Sequence, residues 1–248
     1  MDFNFSGKHV LVTGGTRGIG AAISKAFLEA GASVCACYAA NREAADRFCS
    51  ELDKASRERL ECVQLDIADY ESVERFFNDR MERSMEFDIV VNNAGIRRDG
   101  LLAMMEPEDW HRVIAVNLDG VFHVCRFAVM QMLPKRWGRI INITSPSGRL
   151  GFAGQANYAA AKAGIVGLSR SLALEVGRRG VTVNCVCPGF IDTELIADLP
   201  DEQRRSYQQS VPLKRFGKVG EVASVVMFLA SQEAGYITGS VYDVTGGI

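Results

Sequence analysis

A serine, a tyrosine and a lysine form the most distinctive chemical pattern in this chain. Tyr158 and Lys162 are four residues apart in a segment with a helical pattern, so both side chains project from one helix face. Ser145 follows a buried strand pattern, and parallel sheets bind ligands at the carboxyl ends of their strands. A phenol beside an ammonium group can serve as a proton donor, because the positive charge favours phenolate and lowers the phenol pKa. A tyrosine and a lysine at this spacing are common and usually structural, so the prediction needs independent support.

A glycine-rich loop near the N-terminus predicts a dinucleotide site. Residues 13–20 read TGGTRGIG and lie between the first strand pattern and the first helical pattern. Glycines let the backbone turn tightly and approach a pyrophosphate, and the helix N-terminus supplies free N–H groups. Other strand ends fit the same ligand: Asp66 for the adenine amine, the small residues 93–95 for the adenosine and ribose, and Pro188 with Gly189 near the nicotinamide.

The end of the second strand pattern indicates which dinucleotide binds. An acidic residue there would bind the ribose 2′-hydroxyl of NAD, but the sequence reads CYAANR with no carboxylate before Glu43. Arg17 lies in the glycine loop and Arg42 lies just beyond the strand, and two guanidinium groups suit a 2′-phosphate. The pattern therefore favours NADP(H); the alternative is that both arginines are ordinary surface residues.

The elements that must position these residues alternate between strands and helices along the whole chain. Short, nearly continuous apolar runs suit a parallel sheet covered on both faces, and they occupy residues 8–13, 32–38, 60–66, 87–93, 138–144 and 181–187. Helical patterns cover residues 18–30, 41–56 and 156–176. With no linker or repeat, residues 1–248 predict a single-domain α/β fold of the Rossmann type, a doubly wound parallel sheet with helices on both faces.

Composition narrows the class of protein. The 248 residues carry 28 basic and 30 acidic side chains, a net charge of −2, so no global field attracts nucleic acid or an anionic membrane. The N-terminus lacks a signal-peptide pattern, and we expect no membrane span.

The seven cysteines include the pairs Cys35/Cys37 and Cys185/Cys187 in strand patterns. We interpret them as buried apolar side chains of a reduced, cytoplasmic protein, and we predict no metal site.

The order of the motifs resembles that of the classical short-chain dehydrogenases/reductases. TGGTRGIG, NNAG, Asn117 in VNLDG, Ser145, YAAAK and PGF follow one another in the family's order over essentially the whole chain. Within the family, NAGIRRDGLL, GQANYAAAKAG, VNCVCPGFIDT and EAGYITG are most similar to bacterial 3-oxoacyl-[acyl-carrier-protein] reductases. The resemblance implies a catalytic tetrad of Asn117, Ser145, Tyr158 and Lys162. It also implies a cofactor-binding set of Gly14, Thr16, Arg17, Gly18, Ile19, Gly20, Arg42, Asp66, Ile67, Asn93, Ala94, Gly95, Tyr158, Lys162, Pro188, Gly189, Ile191 and Thr193.

The resemblance assigns a role to each catalytic group. Tyr158 donates a proton to the alkoxide formed from a ketone, and Ser145 hydrogen-bonds the carbonyl oxygen. Lys162 lowers the pKa of Tyr158 and holds the nicotinamide ribose, while Asn117 anchors a water that resupplies protons. In the resembled reductases, basic residues at the positions of Arg136 and Arg179 contact the acyl carrier protein, and we expect both to lie near the mouth of the pocket.

Assembly and substrate access can also be predicted. The small residues of the helix over 156–176 predict a subunit interface in a homo-oligomer. The resemblance implies a homotetramer, in which this helix and a helix over about 118–133 each pack on their symmetry mates. The amphipathic segment 192–217, bounded by Pro and Gly, predicts a substrate lid.

Some positions depart from the family pattern, and several substrates stay open. Pro146 follows Ser145 and stiffens the loop beside the pocket, Cys187 precedes Pro-Gly, and Thr245 stands near the C-terminus. The first hypothesis is NADPH-dependent reduction of a 3-oxoacyl thioester on acyl carrier protein in fatty-acid, polyketide or related synthesis. The alternatives are a reductase of acetoacetyl-CoA or another free ketone, and a dinucleotide-binding regulator without catalysis.

Overall fold

Seven parallel strands form one sheet in a computed structural model that describes residues 3–194 and 200–248. The spatial order is β3-β2-β1-β4-β5-β6-β7, so the chain reverses direction across the sheet between β1 and β4. In sheets of this kind a crevice for ligands opens at that reversal. The strands are β1 His9–Thr13, β2 Ser33–Tyr38, β3 Leu60–Gln64, β4 Ile89–Asn92, β5 Gly138–Ile143, β6 Val181–Pro188 and β7 Val241–Val244.

Helices cover both faces of the sheet, which confirms the predicted single-domain Rossmann-type architecture. The helices are α1 Gly18–Glu29, α2 Arg42–Glu51, α3 Lys54–Glu58, α4 Tyr70–Glu82, α5 Pro107–Ile114, α6 Gly120–Lys135, α7 Ser147–Leu150, α8 Ala156–Val176, α9 Asp201–Ser210 and α10 Val219–Ala230. One layer is built mainly from α1, α2 and α10, and the other from α4, α6 and α8. β4, β5 and β6 are buried along their whole length because both layers cover them.

The structure differs from the predicted elements in two places. The single helix predicted over 41–56 is divided, because Asp53 accepts a hydrogen bond from the Ser56 amide (2.9 Å) and starts α3 as a new helix. The sequence patterns did not predict β7. Its four residues are partly or fully exposed, and a strand of this length is too short to show a clear periodicity. The boundaries of α8, in contrast, are those predicted.

A buried polar network ties α8 to the centre of the sheet. Asn92 donates to the side-chain oxygen of Asn142 (2.8 Å), and Asn142 donates to Ser169 on α8 (2.8 Å). The Cys185 thiol on β6 also lies 3.2 Å from the Ser169 hydroxyl. Because buried polar groups are costly to leave unpaired, this network fixes α8 against β4, β5 and β6.

The cysteines and the longest apolar helix complete the core. Cys35, Cys37, Cys185 and Cys187 are free and buried, which confirms their interpretation as apolar side chains. The continuous helical stretch Pro107–Lys135 is long and apolar enough to cross a membrane by length and composition alone. In the fold 56% of its most apolar window is buried, as in the core helix of a globular domain.

Candidate active site

A groove of about 810 Å³ runs along the carboxyl edge of the sheet and brings the predicted residues together. Ser145, Tyr158 and Lys162 line it, and so does every predicted cofactor-binding residue except Arg42. The lining set contains Gly14, Thr16, Arg17, Gly18, Ile19, Gly20, Asp66, Ile67, Asn93, Ala94, Gly95, Pro188, Gly189, Ile191 and Thr193. The groove therefore joins a dinucleotide-type loop to an acid–base cluster.

The glycine loop is shaped for a phosphate. Gly14 has φ +61°, and a Cβ atom at Gly20 would overlap the Gly14 carbonyl, so neither position accepts a side chain without strain. Asn93 braces the loop by donating to the carbonyls of Thr13 (3.1 Å) and Gly14 (3.0 Å). No side chain caps the first turn of α1, so its amide groups face the groove unshielded. An uncapped helix N-terminus with close backbone access fits the pyrophosphate of a dinucleotide.

The two predicted arginines lie in different positions relative to the adenosine end of the groove. Residues 38–41 line it and include no carboxylate, while the exposed Arg17 borders it. Arg42 lies outside the lining, because its guanidinium turns along α2 to Asp46 (3.8 Å). The Asp66 carboxylate lines the groove but already accepts from the Ala68 amide (3.0 Å) and pairs with Arg112 (3.1 Å).

Lys162 and Tyr158 occupy one face of α8, as their spacing predicts. Lys162 is buried, and its Nζ donates to the carbonyl of Ile143 at the end of β5 (2.9 Å). The same Nζ lies 5.5 Å from the centroid of the Tyr158 ring. The half-buried Tyr158 lines the same groove as Ser145, which comes two residues after the end of β5. The strand end and the helix therefore deliver the three groups to one point.

Burial controls the pKa of both titratable groups. It lowers the pKa of Lys162 from 10.5 to about 8, because the ammonium has lost most of its water. Burial also raises the pKa of Tyr158 above its ordinary value, and the Ser145 hydrogen bond and the charge of Arg97 offset that rise in part. Desolvation of the phenolate thus outweighs the causes that lower the pKa of Tyr158, and the lowering expected from Lys162 together with an oxidised nicotinamide stays a prediction.

Asn117 lies beside the groove without lining it. It belongs to a π-helical turn, Ala115–Asp119, that joins α5 to α6. Its side chain accepts from the Ile96 amide (3.1 Å) and donates to the carbonyls of Ile96 and Val113 (both 2.9 Å). Both amide hydrogens are thus committed to main-chain carbonyls, and the side chain braces the loop that carries Gly95. Its role in anchoring a water stays a prediction.

The predicted carrier-binding arginines lie at the other edge of the sheet. Arg136 ends α6 with φ +52° and donates to the Arg178 carbonyl (3.5 Å), while Arg179 lies in the short turn Gly177–Arg179. Both are exposed and precede the strands whose far ends border the groove. β5 contains six residues at about 3.3 Å each, so roughly 20 Å separates the two arginines, at the start of the strands, from Ser145 beyond the far end of β5. The expectation that they lie at the pocket mouth of their own chain is wrong.

Several groove residues were not predicted from the sequence. Arg97, Ser147 and Gln155 line the catalytic end, and Phe152, Phe190 and Tyr207 form an aromatic wall. The rings of Phe190 and Tyr207 stack at 4.5 Å, although they belong to different segments of chain. Tyr207 lies in the described part of the predicted lid, whereas residues 195–199 lie outside the described residues. The sequence gives little signal for these residues, because their roles arise from contacts between distant segments.

Fold and site together define a nicotinamide dinucleotide-dependent oxidoreductase. A family described as enoyl-(acyl carrier protein) reductase matches residues 14–248. The 3-oxoacyl-[acyl-carrier-protein] reductases of Salmonella typhimurium and Escherichia coli K12 are each 45% identical over 99% of this chain and 98% of their own length. That of Aquifex aeolicus is 42% identical over the full length of both chains. The chain therefore belongs to the short-chain dehydrogenase/reductase family and is an oxidoreductase of the 3-oxoacyl-[acyl-carrier-protein] reductase type.

The buried ammonium predicts that Lys162→Met stabilises the folded protein while abolishing activity. The pKa of Lys162 is about 8 in the folded protein and 10.5 ordinarily, so the unfolded chain binds more protons than the folded protein between those pH values. The destabilisation by Lys162 is therefore complete below pH 8 and fades as the pH rises toward 10.5. We expect a gain of about 1–3 kcal/mol in the free energy of unfolding at pH 7, shrinking with rising pH. Urea denaturation measures it, with the exposed Lys54→Met as control; a loss of stability at pH 7 contradicts it.

Proposed function

We propose that this protein is a cytoplasmic reductase that uses NADPH to convert a 3-oxoacyl thioester, carried on acyl carrier protein, to the 3-hydroxyacyl thioester in fatty-acid or related acyl-chain synthesis. The observation that carries the proposal is the convergence of Ser145, Tyr158 and Lys162 in a groove continuous with the glycine loop. The names of the relatives support the choice of substrate.

The chain's own residues provide the acid and the charge stabilisation for this reaction. A bound nicotinamide supplies a hydride to the carbonyl carbon. Tyr158 is protonated at neutral pH, since an ordinary phenol is and burial raises its pKa further, so it is in the form that donates a proton to the oxygen. Ser145 donates a hydrogen bond to that oxygen as negative charge develops. Lys162, held by the Ile143 carbonyl, provides positive charge beneath the tyrosine ring.

The acyl chain would lie against the aromatic wall. Phe152 contacts Phe190 (centroids 6.3 Å apart), and Phe190 stacks on Tyr207 of α9. Gly217 forms a parallel β-bridge with Ile191, so both ends of the segment 192–217 lie at the groove side of the sheet. We propose that residues 192–217 form the lid over the acyl chain, with Tyr207 as the contact that closes it.

The exposed faces of α6 and α8 support the proposed homotetramer. The large apolar side chains of Phe122 and Met130 on α6 and of Leu174 on α8 are 47%, 59% and 87% exposed. Gly167 on α8 faces open space, since a Cβ atom there would meet nothing within 4 Å. Pairing of these faces across a two-fold axis would bury them.

The same pairing supports a place for the carrier protein. If two α8 helices pack antiparallel, the C-terminal end of one lies beside the N-terminal end of the other. Arg179 follows the C-terminal end of α8, and Tyr158 lies in its first turn. We therefore propose that Arg136 and Arg179 serve the groove of a neighbouring subunit, where they attract an acidic carrier.

The test of the reaction is Tyr158→Phe with a panel of substrates. Native protein should oxidise NADPH with acetoacetyl-carrier protein, and more slowly with acetoacetyl-CoA, but not with a crotonyl thioester, which offers a conjugated C=C bond. Tyr158→Phe keeps the ring but removes the proton, so turnover should fall by about 10²–10⁴-fold with NADPH affinity retained. Near-native turnover of the variant would show that Tyr158 is not the acid.

The test of cofactor choice compares Arg17→Ala and Arg42→Ala. Native protein should bind NADPH more tightly than NADH, and loss of a charged partner of the 2′-phosphate should weaken that preference by about tenfold or more. Arg42 must swing away from Asp46 to contribute, so we expect its effect to be the smaller one. Arg47→Ala on α2 is the matched control, and fluorescence titration measures each affinity. Equal affinity of the native protein for both nucleotides contradicts the assignment.

The test of carrier docking is Arg136→Glu combined with Arg179→Glu. Charge reversal should raise KM for the carrier-bound substrate in a salt-dependent way, because docking depends on steering between opposite charges. Reduction of acetoacetyl-CoA should stay unchanged. Lys54→Glu with Arg57→Glu is the remote control of equal charge. Equal losses on both substrates would indicate a folding defect, and no loss on either would favour a free substrate.

A further inference from the structure

Two cysteines outside the active-site groove lie almost in contact. Cys49 on α2 and Cys62 on β3 bring their Sγ atoms to 3.1 Å from each other. A disulfide bond is about 2 Å long, so an approach of roughly 1 Å would join the two sulfurs. Neither side chain lines the groove, so the reaction proposed above does not use this pair.

The pair also differs from the other cysteines in its exposure to solvent. Cys49 and Cys62 are both half-buried, whereas the remaining five cysteines are buried. Cys35 and Cys37, which share one face of β2, are only 4% and 1% exposed, so a dissolved reagent does not reach them in the folded protein. Access and proximity of a second thiol therefore coincide at Cys49 and Cys62.

The two sulfurs are held together by the packing at the margin of the fold. β3 is the edge strand of the sheet, and Cys62, at its middle, packs against the core layer that includes α1, α2 and α10. Phe48, the neighbour of Cys49, is buried in that same core, so helix and strand are both fixed. The faces of α6 and α8 that are proposed to pair in the tetramer lie on the other side of the sheet, so they leave this margin open.

The surroundings of Cys62 give the two thiols different roles. Burial raises the pKa of the Cys62 thiol well above its ordinary value, and the contact with Cys49 raises it further. Cys62 is therefore a neutral thiol in the resting protein. Because the thiolate is the form that attacks an oxidant, Cys49 is oxidised first and Cys62 then reacts with it.

We propose that Cys49 and Cys62 form a peroxide-reactive dithiol site, which closes to a reversible disulfide between α2 and β3 and leaves the reductase active. The Cys49 thiolate attacks hydrogen peroxide, so an S–O bond forms as the O–O bond breaks, and a sulfenic acid and hydroxide result. The Cys62 sulfur then attacks the Cys49 sulfur. The S–S bond forms, the S–O bond breaks, and the Cys62 proton leaves with the hydroxide as water. The sulfurs thus lose two electrons to the peroxide, and a small thiol returns them by disulfide exchange.

The disulfide should stabilise the fold without disturbing the groove. Cys49 and Cys62 are 13 residues apart in sequence, and the loop between them contains α3. A cross-link over a loop of this length restricts mainly the unfolded chain, so Tm of the oxidised protein should rise by about 3–10 °C. The movement needed to close the bond is small and lies outside the groove, so reduction with NADPH should continue.

The test treats the native full-length protein with one equivalent of hydrogen peroxide and then counts its thiols by alkylation and mass spectrometry after denaturation. The seven free thiols should fall to five, and peptide mapping should join Cys49 to Cys62 within one chain. Dithiothreitol should restore all seven. Tm and the reduction of acetoacetyl-CoA are measured on the same samples, and the activity of the oxidised protein should stay within about twofold of the reduced protein.

Three alanine variants test the order of the steps and the choice of sulfurs. Cys62→Ala leaves Cys49 without a partner, so peroxide should give a sulfenic acid at Cys49 that dimedone traps. Cys49→Ala should leave Cys62 unmodified, because that thiol does not react first. Cys37→Ala removes a buried thiol of β2 and is the matched control, so it should form the same disulfide as the native protein.

The outcomes that overturn the proposal are specific. They are oxidation at other cysteines, a disulfide between two chains, no loss of thiols from the folded native protein, or a loss of activity that dithiothreitol reverses. A sulfenic acid trapped at Cys62 in Cys49→Ala would contradict the order of the steps. If a variant does not fold, the mapping of the native protein decides. Thiol counts and Tm need no substrate, so they remain decisive even if the proposed function fails.

Discussion

The ammonium group of Lys162 lies in the interior with one carbonyl partner, and much of the surrounding structure serves to hold it there. Taking such a group out of water costs several kcal/mol, and the hydrogen bond to Ile143 offsets a part of that cost. Ile143 ends β5, which pairs with β4 on one side and β6 on the other, so the carbonyl cannot move independently of the sheet. The Asn142–Ser169 hydrogen bond fixes the helix that carries the lysine to the same strand. Lys162 is thus held against buried strands at the centre of the sheet.

The same burial shifts the pKa values of both titratable groups before reaction. It shifts the pKa of Lys162 down to about 8 and the pKa of Tyr158 upward, so both shifts favour the neutral form. A protonated phenol and a weakly held ammonium proton suit a step in which negative charge appears on a substrate oxygen. The charge is then stabilised where it develops, by groups that need not reorganise.

Features that depend on local pattern could be predicted from the sequence. The Ala- and Gly-rich α8 has no proline or turn signal within it, and the glycine loop lies between a strand and a helix, so their positions were predicted correctly. Features that depend on distant contacts could not. The separation of Arg136 from Ser145 follows from the direction of β5 through the sheet. The turn of Arg42 to Asp46, in contrast, is a local i,i+4 pair of the kind that a helical pattern favours. The pairing of Gln155 with Asp99 joins loops 56 residues apart.

Pro146 begins the short helix that forms the wall of the groove beside Ser145. Its φ of −55° and ψ of −25° are those of a helix start, where a missing N–H leaves no hydrogen bond unmade. Its carbonyl accepts from Arg149 and Leu150 (both 2.9 Å), so the residue begins α7 without strain. This turn directs the Ser147 amide and hydroxyl back toward Ser145. Pro146 therefore shapes the wall of the groove and the surroundings of Ser145, while Lys162 is anchored to the carbonyl of Ile143 at the end of β5.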